Sequence, residues 1–124
     1  MRKYRSLVAW QRARQLALSI LRSTDETNHP RTRAVFDQLR RAAISVEANI
    51  VEGYALGTPA QFKRHLRIAL GSAAETEILL ELAAESGYLP ADVIGRTQPL
   101  VDETIATLFG LLRKGAGAGK RGAE

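Results

Sequence analysis

The run QLRRAAISVEANIVEG, Gln38–Gly53, decides the fold because its apolar residues fall on two sides of one helix. At about 100° per residue, Ile44 lies about 180° from Val35. One stripe, which suits a bundle core, contains Val35, Leu39, Ala43, Val46 and Ile50. The second stripe contains Ile44, Ala48 and Val51. An apolar stripe left in water lowers solubility, so the second stripe predicts contact with a helix of another chain.

Polar residues lie between the two stripes and on a later helical segment. A buried charge is tolerated only when it is paired. We therefore expect a structural Arg41–carboxylate network that fixes the helix register or the orientation of subunits. The alternative is a polar pocket for a small ligand. The candidate residues are Arg41, Ser45, Asn49, Glu52, Glu75 and Glu77.

The rest of the chain predicts three further helices and no strand, because apolar residues recur at helical spacing throughout. The predicted helices are Ser6–Thr24, Thr32–Glu52, Thr58–Gly87 and Ala91–Lys114. Short connections between long helices predict an antiparallel, up-down-up-down four-helix bundle over residues 1–114. A Gly/Ala-rich basic stretch at residues 115–124 predicts a flexible tail.

Local signals set the helix ends. Ser6 is a candidate N-cap, and Thr58 with Gln61 forms a capping box around a proline at the first helical position. Pro30 predicts a loop before the second helix, and Gly53 predicts its end. Pro99 is expected to kink or divide the fourth helix.

The third helix repeats the two-sided pattern of the second. Ile68, Leu79 and Leu82 form an apolar side away from its core face. Two helices with a surplus apolar side predict self-association. The predicted oligomer interface is Ile44, Ala48, Val51, Ile68, Leu79 and Leu82.

Charge is unevenly distributed along this basic chain, whose net charge is +5 and whose calculated pI is about 10.1. Residues 1–41 contain ten Lys and Arg against three Asp and Glu, whereas residues 75–103 contain one Arg against seven acids. Either a basic helix packs beside an acidic one, or a basic surface contacts phosphates. Trp10 is expected in the core rather than as a platform for bases. The candidate nucleic-acid-binding residues that would carry most of this contact are Arg2, Lys3, Arg5, Arg12, Arg14 and Arg22, and a second patch contains Lys63, Arg64 and Arg67.

No residue set predicts a chemical reaction. The chain has no cysteine, its two histidines, His29 and His65, lie far apart, and no Gly-x-Ser-x-Gly elbow occurs. The tail GAGAGKR lacks the glycine spacing of a phosphate-binding loop. We expect no metal, no cofactor and no enzymatic activity. With no signal peptide or membrane-spanning run in the sequence, we expect a cytoplasmic protein.

Three stretches together resemble a known family. They are LVAWQRA near the amino terminus, QLRRAAISVEANIVEG, and FKRHLRIALGSAAETE followed by SGYL. They are similar to the four-helix-bundle proteins encoded in intervening sequences of bacterial 23S rRNA genes, also called the S23 ribosomal protein family. The similarity runs from about Tyr4 to Leu112, and Glu47 departs from the proline common at its position.

The resemblance implies a homopentamer, and it extends to the accessory variability determinant proteins of diversity-generating retroelements. Those relatives are basic pentamers that bind nucleic acid and partner with a reverse transcriptase. A pentamer of this chain would carry a formal charge of +25, five times +5. The first hypothesis is therefore a pentamer that binds RNA or DNA electrostatically. The second is a scaffold that recruits another protein and has no nucleic-acid role.

Overall fold

A computed structural model describes the backbone of residues 2–25 and 29–121, and the side chains of residues 3–25 and 29–114. Its described residues form a short 3₁₀ helix and four α-helices, with no strand among them. The elements are the 3₁₀ helix Arg2–Ser6, α1 (Val8–Asp25), α2 (Pro30–Leu56), α3 (Pro59–Glu85) and α4 (Ala91–Arg121). The predicted all-α fold with four helices is confirmed.

Each helix contacts two others, which gives the cross-section of a four-helix bundle. Both α1 and α3 pack against α2 and against α4. At one end the core contains Leu16, Ile20, Phe36, Leu39 and Val101. At the other end it contains Trp10, Val46, Ile50, Leu66 and Leu108. Within the described part of the chain, no helix is both long and apolar enough to cross a membrane.

The core stripe predicted for α2 is largely confirmed. Leu39, Ala43, Val46 and Ile50 are fully buried. Val35 is only half-buried, and the neighbouring Phe36 takes the deeper position at 1% exposure. Val35 therefore lies at the edge of the buried face, whose centre is the predicted stripe of Leu39, Ala43, Val46 and Ile50.

The predicted end of α2 at Gly53 was wrong. Gly53 is buried inside the helix, where a Cβ atom would lie 2.6 Å from His65 Cβ and 3.3 Å from Phe62 Cα. The glycine is needed because α3 approaches the α2 backbone at this point. The helix ends three residues later than Gly53, at Leu56, and Gly57 follows with φ 79°, a conformation that glycine adopts without strain.

Two predicted helix starts were also wrong. Ser6 does not cap α1; its Oγ donates to the Lys3 carbonyl at 2.8 Å inside the 3₁₀ helix. The second helix begins at Pro30 rather than near Thr32, because His29 is its N-cap and His29 Nδ1 accepts from Arg31 N at 3.2 Å. Proline suits the first helical position, since the N–H it lacks would have no helical partner there.

The predicted capping box starts α3 as expected. Thr58 Oγ1 accepts from Gln61 N at 3.1 Å, and Gly87 with φ 73° follows the helix. The last helix, α4, runs without a break through Pro99, so the proline does not divide it. The carbonyl that loses its helical partner belongs to exposed Gly95, where water can bond to it.

The fourth helix also extends past the predicted boundary at residue 114, because its backbone is helical to Arg121. The predicted flexibility of the tail stays a prediction. Its last residues, 122–124, lie outside the described residues.

The close approach at Gly53 predicts opposite effects for two alanine substitutions. Gly53→Ala should lower the free energy of unfolding by about 1–3 kcal/mol, because the new methyl group overpacks the contact with His65. Gly95→Ala is the matched control, since nothing lies within 4 Å of its Cβ position. It should raise the free energy of unfolding by about 0.5–1 kcal/mol through helix propensity. Urea denaturation measures both, and a stabilising Gly53→Ala would contradict the close contact.

Candidate functional site

A line of hydrogen bonds joins α2 to α3 beside the Gly53 contact. Asn49 Nδ2 donates to the Ser45 carbonyl at 2.9 Å and to Ser45 Oγ at 3.1 Å. The Asn49 Oδ1 atom therefore faces His65 Nδ1, which donates to it at 3.0 Å. Ser45 Oγ and Ser72 Oγ share a further hydrogen bond of 2.9 Å. These four side chains form the polar seam of the bundle.

Arg41 joins the same side of the bundle through an intermediate amide. Its Nη2 atom donates to Gln38 Oε1 at 2.9 Å, and Gln38 Nε2 donates to Glu75 Oε2 at 2.5 Å. Arg41 therefore reaches a carboxylate through Gln38 and not directly, and the role of this network in fixing the helix register stays a prediction. Both Arg41 and Glu75 are exposed, so water solvates their charges and no buried pairing is required.

The remaining two predicted members of the network lie elsewhere. Glu77 accepts from Gln98 Nε2 at 3.4 Å, which places it on the α4 side of α3. Glu52 is exposed and makes no hydrogen bond or ion pair within the described residues. The six candidates thus do not form one network. Ser45 and Asn49 belong to the polar seam, Arg41 and Glu75 are linked through Gln38, Glu77 contacts α4, and Glu52 is solvated.

Sequence reasoning missed His65 and Ser72 as members of the seam. The sequence shows no further metal-ligating residues near His65 and gives it no other role, yet His65 is 7% exposed and packs on Gly53. One signal was available: a small residue in mid-helix, such as Gly53 or Ser72, permits a close helix crossing. Among the described residues, no group of three acids or histidines is arranged to hold a metal ion.

Two arginines of the predicted nucleic-acid surface face carboxylates of neighbouring helices. Arg12 Nε lies 2.9 Å from Glu103 Oε2, and Arg14 Nη1 lies 3.2 Å from Glu47 Oε2. Arg12 thus pairs with the acidic stretch 75–103, as the packing alternative expects, whereas the partner of Arg14 lies on α2, outside that stretch. A phosphate would have to compete with the carboxylate at each position.

Arg5 and Arg14 flank the ring of Trp10. Their guanidinium carbons lie 5.5 Å and 5.9 Å from its ring centroid, within the range of a cation–π contact. Tyr4 meets Trp10 edge to face at a centroid distance of 5.3 Å. Trp10 itself is 9% exposed and belongs to the core, as predicted, so its ring has no free face for a base.

The other basic candidates are not in ion pairs within the described residues. Lys3 and Arg22 are exposed, and the side chain of Arg2 lies outside the described part. On α3, Arg64 and Arg67 are exposed and Lys63 is half-buried. No Asp or Glu occurs from residue 53 to residue 74, so the α3 basic cluster (Lys63, Arg64 and Arg67) has no acidic neighbour along its own helix.

The predicted interface residues occupy different depths. Ile44 is 44% exposed, Ile68 is 40% exposed and Leu82 is 51% exposed, and Ala48 is also on the surface. Val51 and Leu79 are half-buried and pack against the core. Sequence reasoning missed Ile78, which at 59% is the most exposed of the large apolar side chains in the described residues. Large apolar surface therefore remains on both α2 and α3.

A groove of about 510 Å³ runs along the outer face of α2. Four small or aliphatic residues of α2 line it and are called its floor here: Ile44, Ala48, Val51 and Ala55. The other lining residues are Tyr4, Arg5, Trp10 and Arg14 from the amino-terminal elements, and Glu47 and Glu52 from α2. This α2 groove combines most of the second apolar stripe with the amino-terminal aromatic pair.

The polar seam predicts a coupling between two side chains. Asn49→Ala should lower the free energy of unfolding by about 1–3 kcal/mol, because His65 Nδ1 then loses its partner in a nearly buried place. A double-mutant cycle with His65→Ala, measured by urea denaturation, should give a coupling of about 0.5–1.5 kcal/mol. Gln15→Ala, at an exposed position of α1, is the control and should change stability by less than about 0.5 kcal/mol. Additive effects of the first two substitutions would contradict the assigned bond.

A comparison with family models identifies the fold's relatives. The model described as 23S rRNA-intervening sequence protein matches residues 5–110, which include the polar seam and every residue of the α2 groove except Tyr4. No curated protein matches the chain. The match covers most of the sequence and agrees with the four-helix, all-α structure. The chain belongs to the family of 23S rRNA-intervening sequence proteins.

Proposed function

We propose that the protein is a non-enzymatic homopentamer of antiparallel four-helix bundles that binds nucleic acid electrostatically, with little sequence specificity. The α3 basic cluster carries this proposal. It contains three cations within five residues, two of them exposed. The half of α3 that carries them contains no Asp or Glu. Lys and Arg in such a setting neutralise backbone phosphates and read no base sequence.

The other basic side chains contribute unequally to this proposed function. Lys3 and Arg22 are exposed and extend the positive surface. Arg12 and Arg14 contribute less, because carboxylates of the same chain already neutralise them. The binding surface is therefore proposed to centre on α3 rather than on the amino-terminal helix that the sequence emphasises.

Contacts between helices support the antiparallel, up-down-up-down arrangement. Arg14 near the start of α1 reaches Glu47 in the second half of α2, and Asn49 in that half reaches His65 near the start of α3. Helices joined by short connections pack in this order when neighbours run in opposite directions.

Exposed apolar side chains support self-association. Ile44, Ile68 and Leu82 are each at least 40% exposed, on helices that already bury a full core face. A pentamer, the number that the family resemblance implies, repeats the α3 basic cluster five times on one particle. Linked weak phosphate contacts then raise the overall affinity without any new contact.

A scaffold that recruits another protein is the second candidate function. One observation favours it: Phe109 is 48% exposed and belongs to α4, not to either of the two helices that supply the proposed interface. Large exposed aromatic residues are typical of protein-binding surfaces. A reverse transcriptase is the class of partner that the resemblance implies.

Nucleic-acid binding should depend steeply on salt and on the α3 basic cluster. In a gel-shift series with single-stranded RNA, Arg64→Gln should weaken binding. The negative slope of log affinity against log salt should also become shallower, by about 0.7 for each phosphate that the variant no longer neutralises. Arg96→Gln removes the same charge from an exposed site whose arginine is 3.3 Å from Asp92, and it should change little. Equal binding by the two variants, or no retention of RNA or DNA by the unmodified protein at low salt, would refute the proposal.

Self-association should depend on Ile44 and leave the fold intact. Ile44→Asp places a charge at an exposed position and should yield smaller species in light scattering, with helicity unchanged in circular dichroism. Val46→Asp is the contrasting variant, because Val46 is fully buried and an unpaired charge there should unfold the bundle. Loss of helicity in Ile44→Asp would place Ile44 in the monomer core instead.

A further inference from the structure

The second half of α3 carries an exposed apolar ridge bordered by acids. Ile78 is 59% exposed and Leu82 is 51% exposed, and they lie one turn apart on the same face. Glu81 and Glu85 border them and are exposed. No Lys or Arg occurs from residue 68 to residue 95, so every charged residue along this α3 ridge is an acid.

The α2 groove carries positive charge on its amino-terminal side. Its floor is aliphatic, and Arg5 stands at its rim without a carboxylate partner among the described residues, held only against the rings of Tyr4 and Trp10. Lys3, two residues away, is exposed as well. Glu47 is already paired with Arg14 of α1, and Glu52 lies about 140° from Glu47 around α2, which places Glu52 on the side away from α1. The unpaired cations therefore stand on one side of the groove.

We propose that the α2 groove of one copy receives the α3 ridge of the next copy. Ile78 and Leu82 then cover the aliphatic floor, and the acids beside them reach the cations at the Arg5 rim. This inference rests on the proposed self-association and adds which surface meets which.

The pairing is head to tail, because each copy contributes a groove to one neighbour and a ridge to the other. A two-fold contact of groove against groove would bring two concave faces together and set Arg5 near its own equivalent. Head-to-tail contacts close into a ring when the rotation between copies permits, and the proposed pentamer requires contacts of this kind. Charge complementarity also fixes the direction, since a reversed ridge would bring its acids to Glu52.

Mixing two variants tests the pairing directly. Ile44→Asp damages the groove and keeps the ridge, whereas Leu82→Asp damages the ridge and keeps the groove. Each alone should sediment as a monomer. An equimolar mixture should form one-to-one heterodimers and nothing larger, because only one intact groove and one intact ridge remain. The double variant Ile44→Asp/Leu82→Asp is the control and should join neither partner.

A charge swap provides a second measurement that leaves the apolar surfaces unchanged. Arg5→Glu and Glu85→Arg should each raise the dissociation constant of the oligomer about tenfold, and the two changes combined in one chain should restore most of the loss. Circular dichroism confirms that each variant is folded.

The outcomes separate the two proposals. If the unmodified protein is an oligomer but the mixture forms no heterodimer, or Leu82→Asp keeps the full assembly, the groove-to-ridge pairing is overturned and self-association stands. If the unmodified protein is a monomer, self-association and the pairing both fail. Nucleic-acid binding by the α3 basic cluster is scored independently of either result.

Discussion

The contact between α2 and α3 at Gly53 is the constraint on which the rest of the structure depends. The absence of a Cβ atom at Gly53 admits His65 to the α2 backbone, and the bond from His65 to Asn49 extends that contact into the polar seam. Helices held this closely have little freedom to rotate about their own axes. Because the core faces of α2 and α3 are fixed inward, their second apolar stripes are fixed outward. The outward position of these stripes therefore follows from the fold, and their apolar character comes from side chains such as Ile44 and Leu82.

Much of the fold could be predicted from the sequence, because helical periodicity and capping are local properties. The Thr58 capping box and the α2 core stripe required only the spacing of residues along one helix. The two ends of α2 were misplaced for reasons that are not local. Gly53 has two uses, as a helix stop or as a place for a neighbouring helix, and only the position of His65 decides between them. His29 as an N-cap is similarly invisible to a search for the common capping residues.

The candidate sites were less predictable, because they depend on contacts between helices. Nothing in the spacing of Arg12 or Arg14 shows that each meets a carboxylate of another helix. Ile68 and Leu82 are exposed as the pattern predicts, but the third exposed apolar residue of α3 is Ile78 and not the adjacent Leu79. The α3 basic cluster was foreseen only as a second patch. The structure makes it the better candidate for phosphate binding, because it has no acidic partner among the described residues. Arg12 and Arg14, in contrast, form ion pairs within the chain.

The two halves of α3 thus have separate proposed tasks: the basic half faces phosphates, and the acidic half faces another copy. The second task is itself an assembly, and the first gains affinity from one, which makes the mass of the unmodified protein in solution the most direct test. Sedimentation equilibrium at several protein concentrations gives that mass without a substitution or a ligand. The account predicts a species of five times the 13.6-kDa chain mass that persists on dilution. A 13.6-kDa species at every concentration would contradict it, because the apolar faces of α2 and α3 would then be stable in water with nothing covering them.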